Sequence, residues 1–286
     1  MRLHPEQIVV FVTGKGGVGK STVAAALARA EADRSGSAVL VEFEGSSSAA
    51  RTLGAQADGV RTERVDYLDA LAGSIGQMLS SKLLARLIVR QRAMRRVLGA
   101  VPAVRELVAL DRVRVIAGQA HSRVIVDLPA TGHAVDWLRV PSAALRFLRV
   151  GPAARMCRAI LDEVLAAKRS ALVVVTTAEP VVAAETRELC FKLEHELGRR
   201  PELVVVNRVP RRPTADELRQ ASLAADTDPS WAPLARALEY DAELGADARL
   251  ALTALGGASG AELVEVPELF RDPEPREVVR HLEAKA

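Results

Sequence analysis

The apolar run Ile8–Thr13 (IVVFVT), then Gly14-Lys15-Gly16-Gly17-Val18-Gly19-Lys20-Ser21-Thr22, then the helical stretch Ser21–Arg34 constrain this chain more than anything else in it. A short β-branched run of that kind is a strand buried on both faces. The nine residues after it fit G-x-x-x-x-G-K-[ST], in the strand–loop–helix setting that the pattern requires. Glycines allow successive backbone N–H groups to converge on phosphate oxygens, and the helix N-terminus contributes its positive end. In such a loop Lys20 reaches the β- and γ-phosphates and the Ser21 hydroxyl ligates Mg²⁺. Pattern and setting agree, which a merely Gly-rich βα turn does not require.

Other strands repeat the theme. Arg123–Asp127 and Leu172–Thr177 read as buried, Ala38–Glu42 and Leu203–Asn207 complete a central set, and Glu262–Val266 is a weaker late strand. Helical stretches Glu179–Leu197, Thr214–Ala224 and Pro275–Ala284 lie between or after them. Strand alternating with helix predicts an α/β fold with a doubly wound, mostly parallel sheet flanked by helices. The rhythm breaks between Val65 and Ala120 and again from Trp137 to Ala167, where apolar residues recur at helical spacing and no strand is visible. We read residues 1–286 as one domain, with a helical subdomain contributed by about 65–120 and 137–167.

Composition narrows the class. With 49% hydrophobic and 26% charged residues the chain can bury a core. Aromatics at 3% disfavour stacking platforms for single-stranded nucleic acid. Two cysteines exclude a disulfide scaffold and any one-chain zinc site built from three or four of them. No apolar run is long enough for a membrane span, and the start reads as a strand entering a loop rather than a signal segment. A reducing cytoplasm is the expected location, with peripheral membrane attachment as an option. The net charge of +3 hides an asymmetry: Ala70 to Arg105 holds seven basic residues and no acid, and Trp137 to Leu161 holds five arginines and no acid.

Lys15, a second lysine inside the loop, marks a deviant P-loop. It resembles the ATPase class that contains MinD, ParA, the nitrogenase iron protein, ArsA and the tail-anchored-protein targeting ATPase. Asp127-Leu128-Pro129-Ala130-Thr131-Gly132-His133 resembles the switch II segment D-T-A-P-T-G-H of the ArsA and tail-anchor-targeting (GET-pathway) branch, with Leu second and Pro and Ala exchanged. Val204-Val205-Val206-Asn207-Arg208 resembles the branch's V-V-N-Q/K stretch, and Val266-Pro267-Glu268-Leu269-Phe270 its late strand leading into a loop. Thr177-Ala178-Glu179-Pro180 through Glu185-Thr186 resembles its strand-to-helix passage.

The resemblance implies a P-loop NTPase fold and an ATP/ADP- and Mg²⁺-dependent ATPase. In it, Lys15 would act across a nucleotide-sandwich dimer, as an arginine finger does. Asp127 would hold a Mg²⁺-bound water. Asn207 would read the adenine edge, which needs a group that donates and accepts at once, and Pro267 would flank the base. The dimer would be with itself or with a paralogous ATPase.

The pattern also departs. Where the family has Asp-Pro-Ala-His in switch I, this chain has Glu42-Phe43-Glu44-Gly45-Ser46-Ser47-Ser48. Glu44 falls at the water-orienting position but is one methylene longer, and an ångström of misplacement can cost about a hundredfold. Glu42 competes with it but reads as a strand-end residue. The zinc-binding Cys-x-x-Cys of the targeting ATPase is missing, and Cys157 and Cys190 read as core residues rather than arsenite ligands. Three functions stay open. One is a hydrolysing ATPase whose helical subdomain takes a hydrophobic-helix client or a membrane-associated partner. The second is a nucleotide-gated binding subunit with little turnover, half of a heterodimer. The third is a ParA/MinD-like positioning ATPase on DNA or membrane; the few aromatics and the amphipathic basic helices speak against DNA and suit a hydrophobic client or membrane-proximal partner better.

Overall fold

The computed structural model describes residues 4–43, 48–54, 57–79, 102–129, 134–269 and 274–283. Its frame is one sheet of seven strands: β1 Val9–Gly14, β2 Ala38–Phe43, β3 Val60–Val65, β4 Val124–Asp127, β5 Ser170–Thr177, β6 Leu203–Val209 and β7 Glu262–Pro267. The order is β3-β2-β4-β1-β5-β6-β7 and every neighbouring pair is parallel. The helices are α1 Lys20–Ser35, α2 Ser48–Leu53, α3 Tyr67–Leu79, α4 Pro102–Gln119, α5 Ala134–Leu145, α6 Pro152–Ile160 (continued by the π-helical turn Leu161–Leu165), α7 Pro180–Leu197, α8 Ala215–Thr227, α9 Ala232–Ser259 and α10 Pro275–Glu283.

A strand alternates its side chains between two faces, so a run that is apolar at every position needs cover on both. Val9 and Phe11 of β1 enter one core with Val39, Val126, Leu172 and Val204, roofed by α4, α5, α6 and α7. Val10 and Val12 enter the other with Leu40, Ile125, Val173 and Val205, roofed by α1, α2 and α10. This doubly wound arrangement is the expected one. Chain order turns back at β1, which lies between β4 and β5, so a crevice forms beyond the carboxyl ends of these strands.

Two elements escape the sequence expectation. β3 (VRTERV) is an edge strand with its apolar residues only at its ends; Glu63 pairs with Arg61 at 3.0 Å and with Arg112 at 3.6 Å. Charge on an edge blocks further pairing, and it also hides the strand from a search for apolar runs. α9 is 28 residues long and starts at Ala232 with Pro233 in its first turn, yet Gly245, Gly256 and Gly257 interrupt its pattern. By contrast α8 begins one residue after its expected start, behind a reciprocal Thr214–Glu217 capping box.

Within 65–120 and 137–167 the described residues form α3, α4, α5 and α6 with its π-helical turn, while Val65 ends β3 and residues 146–151 form a turn between α5 and α6. Leu107, Leu110, Val113 and Ile116 of α4 are buried against the sheet, as is Leu138 of α5. Trp137 meets Phe43 edge-on at 4.8 Å between ring centroids. Phe147 and Leu148, just beyond the end of α5, are exposed. Residues 80–101 of the first expected helical interval lie outside the described residues. Among those described, no helix is long and apolar enough to cross a membrane.

Candidate functional site

The loop between β1 and α1 is shaped by glycines whose backbone conformation or close contacts make a side chain costly. Gly14 has φ +147°, and a Cβ there would sit 2.1 Å from the Val175 carbonyl oxygen of β5. Gly19 has φ +93°, and its Cβ would lie 2.2 Å from Asn207 Nδ2. Gly17 is also left-handed, at φ +84°. These are backbone conformations that an L side chain rarely adopts. Val18 is buried between them and anchors the loop on the α1 side of the sheet.

Lys20 opens α1 but its side chain folds back over the loop, buried, with Nζ donating to the Lys15 carbonyl at 2.9 Å. Burial pulls its ammonium below the usual lysine range, and the Asp127 carboxylate opposes that shift. A positive charge held this way, with few protein acceptors, is positioned to receive phosphate oxygens. Ser21 Oγ donates to Asp127 Oδ2 at 2.7 Å, and Ser48 Oγ, at the start of α2, donates to Ser21 Oγ at 2.6 Å. Thr22, next on α1, is half-buried.

Asp127 ends β4 and is almost wholly buried. Its Oδ1 has no hydrogen-bond partner among the described residues. Burial pushes its pKa up to about 6, against the Ser21 hydrogen bond and the Lys20 charge, while Glu42 on the adjacent strand pushes it further up. A buried carboxylate with one oxygen unsatisfied is costly unless a cation arrives. The hard oxygens of Asp127 and Ser21 suit Mg²⁺, which needs few protein ligands because it keeps waters and phosphate oxygens. Among the described residues no three His, Cys, Asp or Glu groups converge on one point, so no all-protein cage competes with that reading.

Glu42 is spoken for: its Oε1 accepts from the backbone N–H groups of Ala49 and Ala50, at 2.9 and 3.2 Å, and so caps α2. Glu44, the expected water-orienting group, lies outside the described residues, as does the Ala130–His133 part of the segment after Asp127. Lys15 stands on the open side of the loop in an ion pair with Glu185 of α7, 2.7 Å from its Oε2 and half-exposed. The two face a cleft of about 350 Å³ lined also by Thr13, Gly14, Gly16, Ala134, Thr186 and Glu188. Thr186 is locked in place by hydrogen bonds to Thr176 Oγ1 and the Val182 carbonyl, both 2.8 Å.

Asn207 closes the ring of predicted residues. It ends the buried part of β6, and its Nδ2 donates to the Val18 carbonyl at 2.9 Å, so the amide touches the loop itself. The next residue, Arg208, has φ +54°, the one left-handed non-glycine residue among those described, at a register irregularity between β6 and β7. Pro267 is exposed and pairs in register with Val209 across that irregularity. Lys15, Lys20, Ser21, Asp127 and Asn207, separated by up to 192 positions in the chain, are therefore gathered around one loop. Cys157 and Cys190 are both buried in the core, which pushes their thiols up, Cys190 to about 11.

Sequence reasoning missed Ser48 and the Glu42 cap. The only signal for either was the serine run after β2, which on its own reads as a loop.

Residues 7–162 match the family of anion-transporting ATPases (ArsA type). The ATPase BagA of Mycobacterium tuberculosis and the protein Mb3704 of Mycobacterium bovis are each 30% identical to this chain over 233 residues, covering 73% of it. The chain spans 65% of the length of these curated relatives.

Proposed function

The chain belongs to the anion-transporting ATPase family, and from that premise we propose that it binds and hydrolyses Mg·ATP, using the cycle to close a dimer and reshape its helical subdomain. The observation that carries this reading is the Ser21–Asp127 pair, with its orphaned carboxylate oxygen, beside the buried Lys20.

The chemistry is transfer of the terminal phosphoryl group to water, whose transition state spreads negative charge over the phosphoryl oxygens. Lys20 meets that charge from within the same chain. Ser21 and Asp127 would hold Mg²⁺, which neutralises phosphate charge when bound. Lys15 would release Glu185 and reach the partner subunit's nucleotide; half-exposed ion pairs are worth at most about 1 kcal/mol, so the exchange is cheap. Asn207 would present its amide to adenine, and Pro267 would flank the ring. Glu44 would orient the attacking water, a role that rests on its sequence position alone. The partner is a second copy or a paralogous ATPase, and the helical subdomain would engage a hydrophobic-helix client or a membrane-associated partner.

A second reading has its own support. Glu42 is committed to capping α2 and Glu44 replaces the shorter aspartate, so a nucleotide-gated binding subunit with little turnover, completed by a paralogue's switch I, is consistent with the site. Steady-state Mg·ATP hydrolysis with Lys20→Ala as the blank separates the two. Turnover above the blank supports a self-sufficient ATPase. ATP binding without turnover supports the gated subunit, and neither binding nor turnover overturns both.

A further inference from the structure

The turn between α5 and α6 carries a feature that nucleotide chemistry does not use. Phe147 and Val150 are the two most exposed large apolar side chains among the described residues, at 86% and 85%, and Leu148 beside them is exposed too. Arg146 and Arg149 alternate with them, and Arg155 follows on the first turn of α6; all three are exposed. Among the described residues none of these three has a carboxylate partner, whereas Arg139, about two helix turns earlier on α5, is paired with Glu196. The nearest acids along the chain are Asp136 and Asp162, so a wholly basic stretch surrounds the apolar tip.

The turn is held in this shape. The N–H groups of Phe147 and Leu148 close onto the Ala144 carbonyl, Gly151 supplies a left-handed φ of +97° before Pro152, and Arg158 Nη2 donates to the Arg149 carbonyl at 2.6 Å. The apolar groups are thus fixed outward, at a solvation cost that a purely structural turn has no reason to carry.

We propose that residues 146–150 form a membrane-contact tip, with Phe147 and Val150 entering the headgroup–acyl boundary and Arg146, Arg149 and Arg155 meeting anionic lipid headgroups. Protruding apolar side chains interleaved with unpaired arginines match an anionic bilayer surface. A nucleic-acid backbone would use the arginines and leave Phe147 and Val150 in water. A protein partner needs a contact of the order of 1,200 Å², far more than three side chains on a turn offer. The inference does not depend on ATP binding.

The test is co-sedimentation of the full chain with vesicles of phosphatidylcholine alone or mixed with phosphatidylglycerol. The wild type is expected to pellet with the mixed vesicles only. Arg146→Gln with Arg149→Gln should weaken that affinity by about 25-fold, at roughly fivefold per basic residue. Phe147→Ser with Val150→Ser should weaken it by about tenfold or more, since two apolar groups lose their burial. As a direct reading of depth, Phe147→Trp in a Trp137→Phe, Trp231→Phe background should be quenched by brominated acyl chains. The proposal is overturned if the wild type ignores anionic vesicles, if the serine pair binds as the wild type does, or if the tryptophan is not quenched.

Discussion

Asp127 concentrates the tension of the site. Its pKa is raised from 3.8 to about 6, so between those values the folded chain holds a proton that the unfolded chain has lost. Stability of the nucleotide-free protein therefore falls as pH rises through that window, by roughly 3 kcal/mol in full. Asp127→Asn removes the buried charge and keeps an acceptor for Ser21, at the cost of one unsatisfied amide. In magnesium-free buffer at pH 8 the variant should melt about 2–4 °C above the wild type while losing affinity for Mg·ATP. A variant that melts at or below the wild type under those conditions would show that Asp127 is not a strained, cation-awaiting carboxylate. Lys20 is its counterpart, a buried ammonium that shares the same small space. Both residues were legible in the sequence because a strand end and a loop pattern fix where they must sit. Ser48 was not, because its place depends on Glu42 turning back to cap α2, and no local pattern records that long reach.

The β1–loop–α1 unit works because two glycines let neighbouring strands approach. Gly14 abuts the β5 backbone and Gly19 abuts the Asn207 side chain, so the element couples the phosphate loop to the proposed base-reading residue. Gly19→Ala should both strain the backbone and push Asn207 away, and nucleotide affinity measured by calorimetry should fall by about tenfold or more in a protein that still folds. Unchanged affinity would mean that the Asn207–loop contact is incidental. At this scale legibility followed burial. β1, β4, β5 and β6 were readable as apolar runs because they are covered on both faces. β3 was missed because its ladder is made by a charged edge, and α9 because glycines interrupt a helix in which Ala248, Ala251 and Leu255 are the only buried apolar side chains among those described. Gly245, on that helix, packs against Arg212 rather than ending it.

For the whole molecule, the sheet gathers the residues of the proposed nucleotide site at its carboxyl edge, and the exposed arginines of the α5–α6 turn lie on another element. Lys15 is the residue through which one chain would touch another. In the proposed dimer Lys15→Ala should retain ATP binding but fail to dimerise or turn over, as read by light scattering with and without nucleotide. An unaltered dimer and rate would remove this lysine from any interface. Asn207→Ala should erode the preference for ATP over GTP; an unchanged preference would assign base recognition to other groups. The doubly wound α/β sheet followed from strand–helix alternation, and the P-loop NTPase fold from the loop motif and the family resemblance. The position of the turn at Phe147 did not, because apolar spacing is the same whether a helix ends in a core or in water.

The central claim is that nucleotide phosphates bind at this loop, and the most direct measurement is the equilibrium affinity for Mg·ATP of the wild type and of Lys20→Ala. The wild type should bind saturably and the variant at least about a hundredfold more weakly, equivalent to about 2.7 kcal/mol, with its thermal melt in the absence of nucleotide still cooperative. A folded Lys20→Ala protein that binds Mg·ATP as tightly as the wild type would contradict it.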